Sequence, residues 1–267
     1  MAENYADMYM NLCDLSYKQT LMFREMEVDP KFVTISTITM IANLNSQLNL
    51  ENFVNFNNPT PECIIRGCVI EKGKKRTNKE KKSKNTFFNQ ATIKFTDHTT
   101  KSIKVFSNGK LQMTGITSFQ EGVKVSDMVC KYIQNTDHVI PYKNNIFVSD
   151  LEVAMINSNF SLNCGIDIMH LQNLLSDDYH TIYEPDVYPA LKIRLPQSNI
   201  LAFSTGHIII TTSKHLSDIT ETYRMFTDTL LDNWDDLKSR RAVVKKQKEV
   251  YSYTEGYIHK EWLAASR

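Results

Sequence analysis

The sequence predicts an α+β fold: an antiparallel sheet, duplicated within the chain and covered by helices on one face. Two hairpin segments lie over one another. Ile103–Thr114 reads IKVFSNGKLQMT and Ile200–Thr211 reads ILAFSTGHIIIT, with Ile, Phe, Ser, Gly and Thr at the same offsets. Each follows a strand that opens with an aromatic, Phe88 or Tyr188, and each precedes a long helical segment. Within the strands apolar residues recur at every second position, the period of a sheet with one buried and one open face. Recurrence of a whole strand–helix–strands–helix order marks an internal duplication more strongly than one shared hairpin does.

Taken in order, the elements follow from composition and period. Residues 1–31 form an N-terminal extension with a helix over Tyr5–Met26. After Pro30 the β-branched run of Phe32–Leu44 predicts a long strand, and Leu48–Phe56 a short helix. Lysines dominate residues 71–85 (EKGKKRTNKEKKSKN), which predicts a solvated, disordered loop able to hold phosphate electrostatically or to serve as a nuclear-import signal. Phe88–Phe95 is a strand. In the hairpin after it, Asn108–Gly109 supplies the turn, because both residues tolerate positive φ. Phe119–Ile133 is a helix with an apolar stripe. The order then restarts with a strand within residues 146–162, a helix over Cys164–Leu175, a strand over Tyr188–Leu195, the second hairpin and a single long helix over His215–Lys238. Repeat 1 therefore spans residues 32–140 and repeat 2 residues 141–238, with a basic tail or helix over 239–267. Equating Asn43 with Asn159 makes repeat 1 longer by about twenty residues, which places a basic insertion at about 71–86.

Composition narrows the function classes. The 267 residues, 42% hydrophobic, suffice for a real core, and a net charge of +1 means that any basic surface is local. No apolar run reaches the ~20 residues of a membrane span, and the first residues lack the basic-then-apolar order of a secretory signal, so no membrane is expected. The 5 cysteines form no CxxC pair and the 7 histidines no HxH or HxxxH pattern, which predicts reduced thiols and no metal or other cofactor. No nucleophile–base constellation is evident, so neither an enzyme nor a small-molecule substrate is expected.

Alternation places a chemically mixed set on the open face. Phe88, Lys94, Phe106, Thr114, Tyr188, Arg194, Phe203 and Thr211 share it with Thr92, Lys104, Gln112, Lys192, Leu201 and Ile209, opposite a buried face that reads as aliphatic throughout. Two readings of that face stay open on chemistry alone. It is either a second packing layer or protein interface, or a surface on which cations meet phosphates, threonines fit a shallow groove and aromatics wedge between base steps.

The segments 183–195 (YEPDVYPALKIRL), 200–214 (ILAFSTGHIIITTSK), 35–50 (ISTITMIANLNSQLNL) and 105–115 (VFSNGKLQMTG) resemble the TATA-binding protein family, in the family's order and in both halves, over roughly residues 32–235. The resemblance implies a saddle, a pseudo-twofold duplicated and curved antiparallel sheet with helices on its convex side. The concave side would bind the minor groove of AT-rich promoter DNA. It implies wedge pairs Phe88 with Phe106 and Tyr188 with Phe203, groove-floor hydroxyls at Thr114 and Thr211, and phosphate contacts from Lys94, Lys110 and Arg194. It further implies that Glu184 and Asp186 contact a B-type transcription factor, and that the protein works with RNA polymerase, in a nucleus or a viral replication factory. Such a chain resembles the forms carried by large DNA viruses.

The departures from the family pattern are specific. Thr37 and Val153 stand where the family's central asparagines are expected, Tyr188 replaces a phenylalanine, His207 replaces a lysine, and Lys104 and Gln112 occupy aliphatic positions. Phosphate contacts carry no base identity, so this face predicts more general, salt-sensitive binding than a strict TATA reader. The alternative function is a protein-interaction scaffold that kept the saddle and lost specific DNA binding.

Overall fold

A computed structural model describes residues 5–55, 69–72, 89–96, 100–136, 138–140 and 146–239. Among them ten strands form one antiparallel sheet in the order β2-β3-β4-β5-β1-β6-β10-β9-β8-β7. The strands of repeat 1 are β1 (Lys31–Asn43), β2 (Val69–Lys72), β3 (Gln90–Thr96), β4 (Thr100–Phe106) and β5 (Lys110–Ile116). Those of repeat 2 are β6 (Ser149–Ser161), β7 (His180–Glu184), β8 (Tyr188–Arg194), β9 (Asn199–Phe203) and β10 (His207–Ser213). The order reads the same from either edge, so a pseudo-twofold axis passes between β1 and β6. The antiparallel pairing of these two long strands holds the halves together.

Each hairpin turn tucks under the end of its repeat's first strand. The Leu44 N–H donates to the Gly109 carbonyl and the Leu162 N–H to the Gly206 carbonyl, both at 2.9 Å. Gly109 and Gly206 have φ of +84° and +79°, and a Cβ on either would collide with the carbonyl of Ser46 or Cys164. This is where glycine is needed, and it explains the glycine shared by the two hairpins. The same contacts fix the true repeat register: Leu44 matches Leu162, so Asn43 matches Ser161 and not Asn159.

Six helices among the described residues cover one face. α3 (Phe119–Gln134) and α5 (Leu216–Asp232) are equivalent, and they start alike. The Thr117 N–H donates to Glu121 Oε2 at 2.7 Å, and the Lys214 N–H to Asp218 Oδ2 at 3.3 Å. Their core positions differ in size. Gly122 leaves room for Met40 against α3, whereas the matching pair is Ile219 on α5 and Ser158 on β6, all of the last three fully buried. A large strand residue under a small helix residue has become the reverse, which conserves volume in a close-packed interior.

The helix-covered face departs furthest from the aliphatic expectation at Lys101. Lys101 is 2% exposed, and its Nζ lies 2.8 Å from Glu121 Oε1. Burial alone would raise the Glu121 carboxyl, but hydrogen bonds from Lys101 and Thr117 outweigh it and hold the group below its ordinary value. Repeat 2 fills the matching place with Ser198, hydrogen-bonded to Thr222 at 2.6 Å.

The N-terminal helix forms over α1 (Tyr5–Glu25), close to the expected span, and docks on α5. Ser16 Oγ accepts from the Val33 N–H at 3.0 Å and lies 3.4 Å from the Tyr223 hydroxyl, while Gln19 Nε2 donates to Asp228 at 2.7 Å. Leu12 and Phe23 are buried, and Phe23 meets Trp234 edge-on at 5.9 Å. Each such apolar side chain contributes about 1.5–3 kcal/mol by leaving water. The extension is thus integral to the helix layer of repeat 2.

Other boundaries differ from expectation for local reasons. α2 is Leu50–Asn55, and α4 is Ile168–Leu175 rather than Cys164–Leu175, because the Asp167 side chain caps it by accepting from the His170 N–H at 3.1 Å. The long terminal helix breaks after Asp232. Asn233 leaves helical geometry and its Nδ2 donates back to the Thr229 carbonyl at 2.9 Å, before the short α6 (Trp234–Leu237). Strand β7 was not expected, since HTIYE is a half-exposed edge segment without a clean alternation. Strand β2 includes Glu71 and Lys72, which the lysine-rich loop was expected to hold. The remainder of that loop, Phe88, and nearly all of the 239–267 segment lie outside the described residues.

Candidate nucleic-acid interface

Helices on one side leave the other side of the sheet open, and strand register decides what stands there. In repeat 1, Thr92 is opposite Lys104 and Lys104 opposite Gln112; Lys94 is opposite Ser102 and Ser102 opposite Thr114. In repeat 2, Lys192 is opposite Leu201 and Leu201 opposite Ile209; Arg194 is opposite Asn199 and Asn199 opposite Thr211. Cross-strand neighbours share a face, so the structure brings Lys94 and Thr114, and Arg194 and Thr211, into two matching rows. Lys94, Lys110 and Arg194 are exposed, while Thr114 and Thr211 are half-buried toward the centre. Cations therefore lie outside and hydroxyls inside.

The aromatic pair of repeat 2 is assembled. The Tyr188 and Phe203 rings are 6.0 Å apart at 64°, an edge-to-face contact. Tyr188 remains 36% exposed, and Lys192 Nζ sits 5.2 Å from its ring centroid. Phe203 also lies 6.0 Å from His207. Opposite Phe203, itself half-buried, is Ala190 on the neighbouring strand, small and buried. Opposite Phe106 is Gln90, buried, whose Nε2 is 3.5 Å from Thr92 Oγ1. Phe106 is half-buried on the open face.

At the centre the structure corrects the expected asparagine positions. Val153 packs partly buried against the hydrophobic core and pairs with the buried Met40, so it cannot face the open side. The repeat register makes Met155 the counterpart of Thr37. Bulges in both β1 and β6 obscured this, since each shifts the alternation by one residue. A group that sequence reasoning missed fills the centre: Asn157, opposite Thr37, donates from Nδ2 to Thr37 Oγ1 at 3.1 Å and accepts from Thr211 Oγ1 at 2.5 Å. The available signal was the matched pair Asn45 and Asn163. Each follows the shared leucine with positive φ and would have set the register.

Glu184 and Asp186 lie together in the exposed turn between β7 and β8, closed by the Val187 N–H donating to the Glu184 carbonyl at 2.9 Å. Among the described residues no group of three or more His, Cys, Asp or Glu is placed to hold a metal ion. Nor is any described helix long and apolar enough to cross a membrane.

Comparison with known proteins agrees with this geometry. The family described as transcription factor TFIID (or TATA-binding protein, TBP) matches residues 150–233. The TATA-box-binding protein-like protein of Acanthamoeba polyphaga mimivirus is 29% identical over 72% of this chain, and the chain spans 63% of that protein's length. A TATA-box-binding protein of Methanosphaera stadtmanae is 30% identical over 41% of this chain and 57% of its own length. Among solved structures, Methanococcus jannaschii TBP aligns with a TM-score of 0.54 at 16% identity, covering 75% of this chain and 98% of that one, which establishes a shared fold. Residues 150–233 thus match the TATA-binding-protein family, and over 72% of its length the chain is similar to a TBP-like protein of viral origin.

Proposed function

We propose that this chain is a TBP-like transcription initiation factor whose open sheet face binds promoter DNA in the minor groove and bends it with aromatic wedges. The observation that carries the reading is the Tyr188–Phe203 pair on the open face, with Lys192 over the Tyr188 ring and Arg194 and Thr211 in one row further along the same face. Each part has a physical task. Lys94, Lys110, Lys192 and Arg194 neutralise phosphates and set the register of the duplex. Phe203 and Tyr188 enter a base step, and Phe106 with Phe88 does the same in the other half. Unstacking a step costs a few kcal/mol, offset by the contact that the bent groove then makes with the sheet. The Tyr188 hydroxyl makes its own insertion shallower, because burying it without a partner is unfavourable. Glu184 and Asp186, away from the groove floor, are free to meet a B-type factor that links the complex to RNA polymerase, in a nucleus or a viral replication factory.

A titration with TATA-containing, scrambled and GC-rich duplexes at two salt concentrations tests the reading. It expects salt-dependent binding to all three, with a modest preference for the A·T-rich duplex. Absence of binding to any duplex would contradict it. That result would favour a protein scaffold, a second reading supported by Thr37 and Met155 standing where the family's base-contacting asparagines are expected. The scaffold would bind a B-type factor through Glu184 and Asp186 without DNA.

A further inference from the structure

The centre of the open face is chemically unequal on the two sides of the pseudo-twofold axis. Thr37 opposite Asn157 becomes, across the axis, Met155 opposite Thr39. On the first side Thr37, Asn157 and Thr211 form one hydrogen-bonded chain. On the second, Met155 offers a thioether, Thr39 is 7% exposed, and the Thr114 hydroxyl is turned away to donate to the Ser102 carbonyl at 3.2 Å.

Two hydrogen bonds fix the Asn157 amide, and whichever way round its oxygen and nitrogen stand, one N–H and one carbonyl lone pair remain for a ligand. The minor groove asks for that pair of groups. A·T pairs show only acceptors there, whereas G·C pairs add the guanine amino donor. Facing Asn157, the amino group meets an acceptor; facing Met155, it is desolvated without one. We propose that Asn157 is a specificity-determining residue that lets the saddle accept a G·C pair on its own side of the centre and not on the Met155 side, so that the protein reads an asymmetric site and binds it in one orientation. This rests on the proposed binding of the minor groove.

The test uses a self-complementary A·T duplex in which one G·C pair is placed at successive central positions, in one half or in both. On a symmetric duplex the protein can turn round. One G·C pair at the sensitive position therefore lowers wild-type affinity by no more than about twofold, the loss of one of two equivalent orientations, while the same pair in both halves lowers it about tenfold. In Asn157→Val the single substitution already costs about tenfold. In Met155→Asn the doubly substituted duplex is bound within about threefold of the parent. A wild type that loses about tenfold on the single substitution at every central position, or an Asn157→Val protein indistinguishable from wild type, overturns the assignment while leaving minor-groove binding intact. Failure to bind the parent duplex overturns both.

Discussion

In repeat 2 the open face carries Tyr188 against Phe203, with Leu201 and Ile209 beside them; in repeat 1 the corresponding neighbours of Phe106 are Lys104 and Gln112. Beneath the helices the contrast recurs, with an ion pair at Lys101–Glu121 where repeat 2 has Ser198–Thr222. The backbone plan is common to both halves, down to the turn glycines and the acidic residue that holds each helix start. What has drifted is side-chain chemistry, in both halves, and repeat 1 lies outside the residues matched by the family. Under the proposed function the two halves would contribute unequally, the apolar surroundings of Phe203 favouring insertion and the cations beside Phe106 favouring phosphate contact.

The largest effect that would sharpen this contrast lies in the core. Replacing Lys101 by Ala removes the cation that neutralises the Glu121 carboxylate, leaving it the Thr117 contacts alone, and should cost about 3 kcal/mol of stability, against about 1 kcal/mol for Ser198→Ala, as read by urea denaturation. The pair also has a pH signature. The Glu121 carboxyl titrates below its ordinary value of 4.5 when folded, so its stabilisation is complete above that value and is lost as the pH falls through the lower, folded one. Lys101→Met, which removes the charge but keeps the volume, should flatten that acid limb; an unchanged acid limb would break the assignment.

Next in size are the wedges. Phe203→Ala should weaken duplex binding by about 2 kcal/mol and abolish the bend in its half, as expected on truncating an aromatic that stacks on a base. Phe106→Ala should cost less, because Phe106 stands over Gln90 rather than over a buried alanine. Equal losses would contradict the unequal contribution of the halves. Thr212 offers a smaller test: its φ of +67° matches that of Gly115 at +82°, and a β-branched residue is strained there. Thr212→Gly should raise stability by about 1 kcal/mol, whereas Gly115→Thr, whose Cβ would lie 2.6 Å from the Thr100 carbonyl oxygen, should lower it. The smallest effect is electrostatic. Lys104→Gln should reduce the slope of log affinity against log salt by about one, and Leu201→Gln should leave it unchanged.

The sequence revealed whatever leaves a local mark. Hairpin glycines must be glycine, alternation shows which face is buried, and Ile103–Thr114 against Ile200–Thr211 exposes the duplication. The open-face rows followed from alternation and held in register. What failed depends on long-range contacts. The bulges of β1 and β6 displaced Val153 from the face expected for it, and hid Asn157. Lys101 reads as a surface residue until Glu121 is brought to it from the following helix. The docking of α1 on α5 joins residues far apart in the chain, such as Gln19 and Asp228, and no sequence period reports that. Strands β2 and β7 are short edges whose pairing comes from their neighbours.

Bending of DNA by the aromatic face is the central claim, and energy transfer between dyes at the two ends of a TATA-containing duplex tests it most directly. Saturating wild-type protein should bring the ends closer, and Phe203→Ala, bound to saturation, should leave them farther apart than wild type does. A duplex that stays straight at saturating wild-type protein would contradict the wedge mechanism.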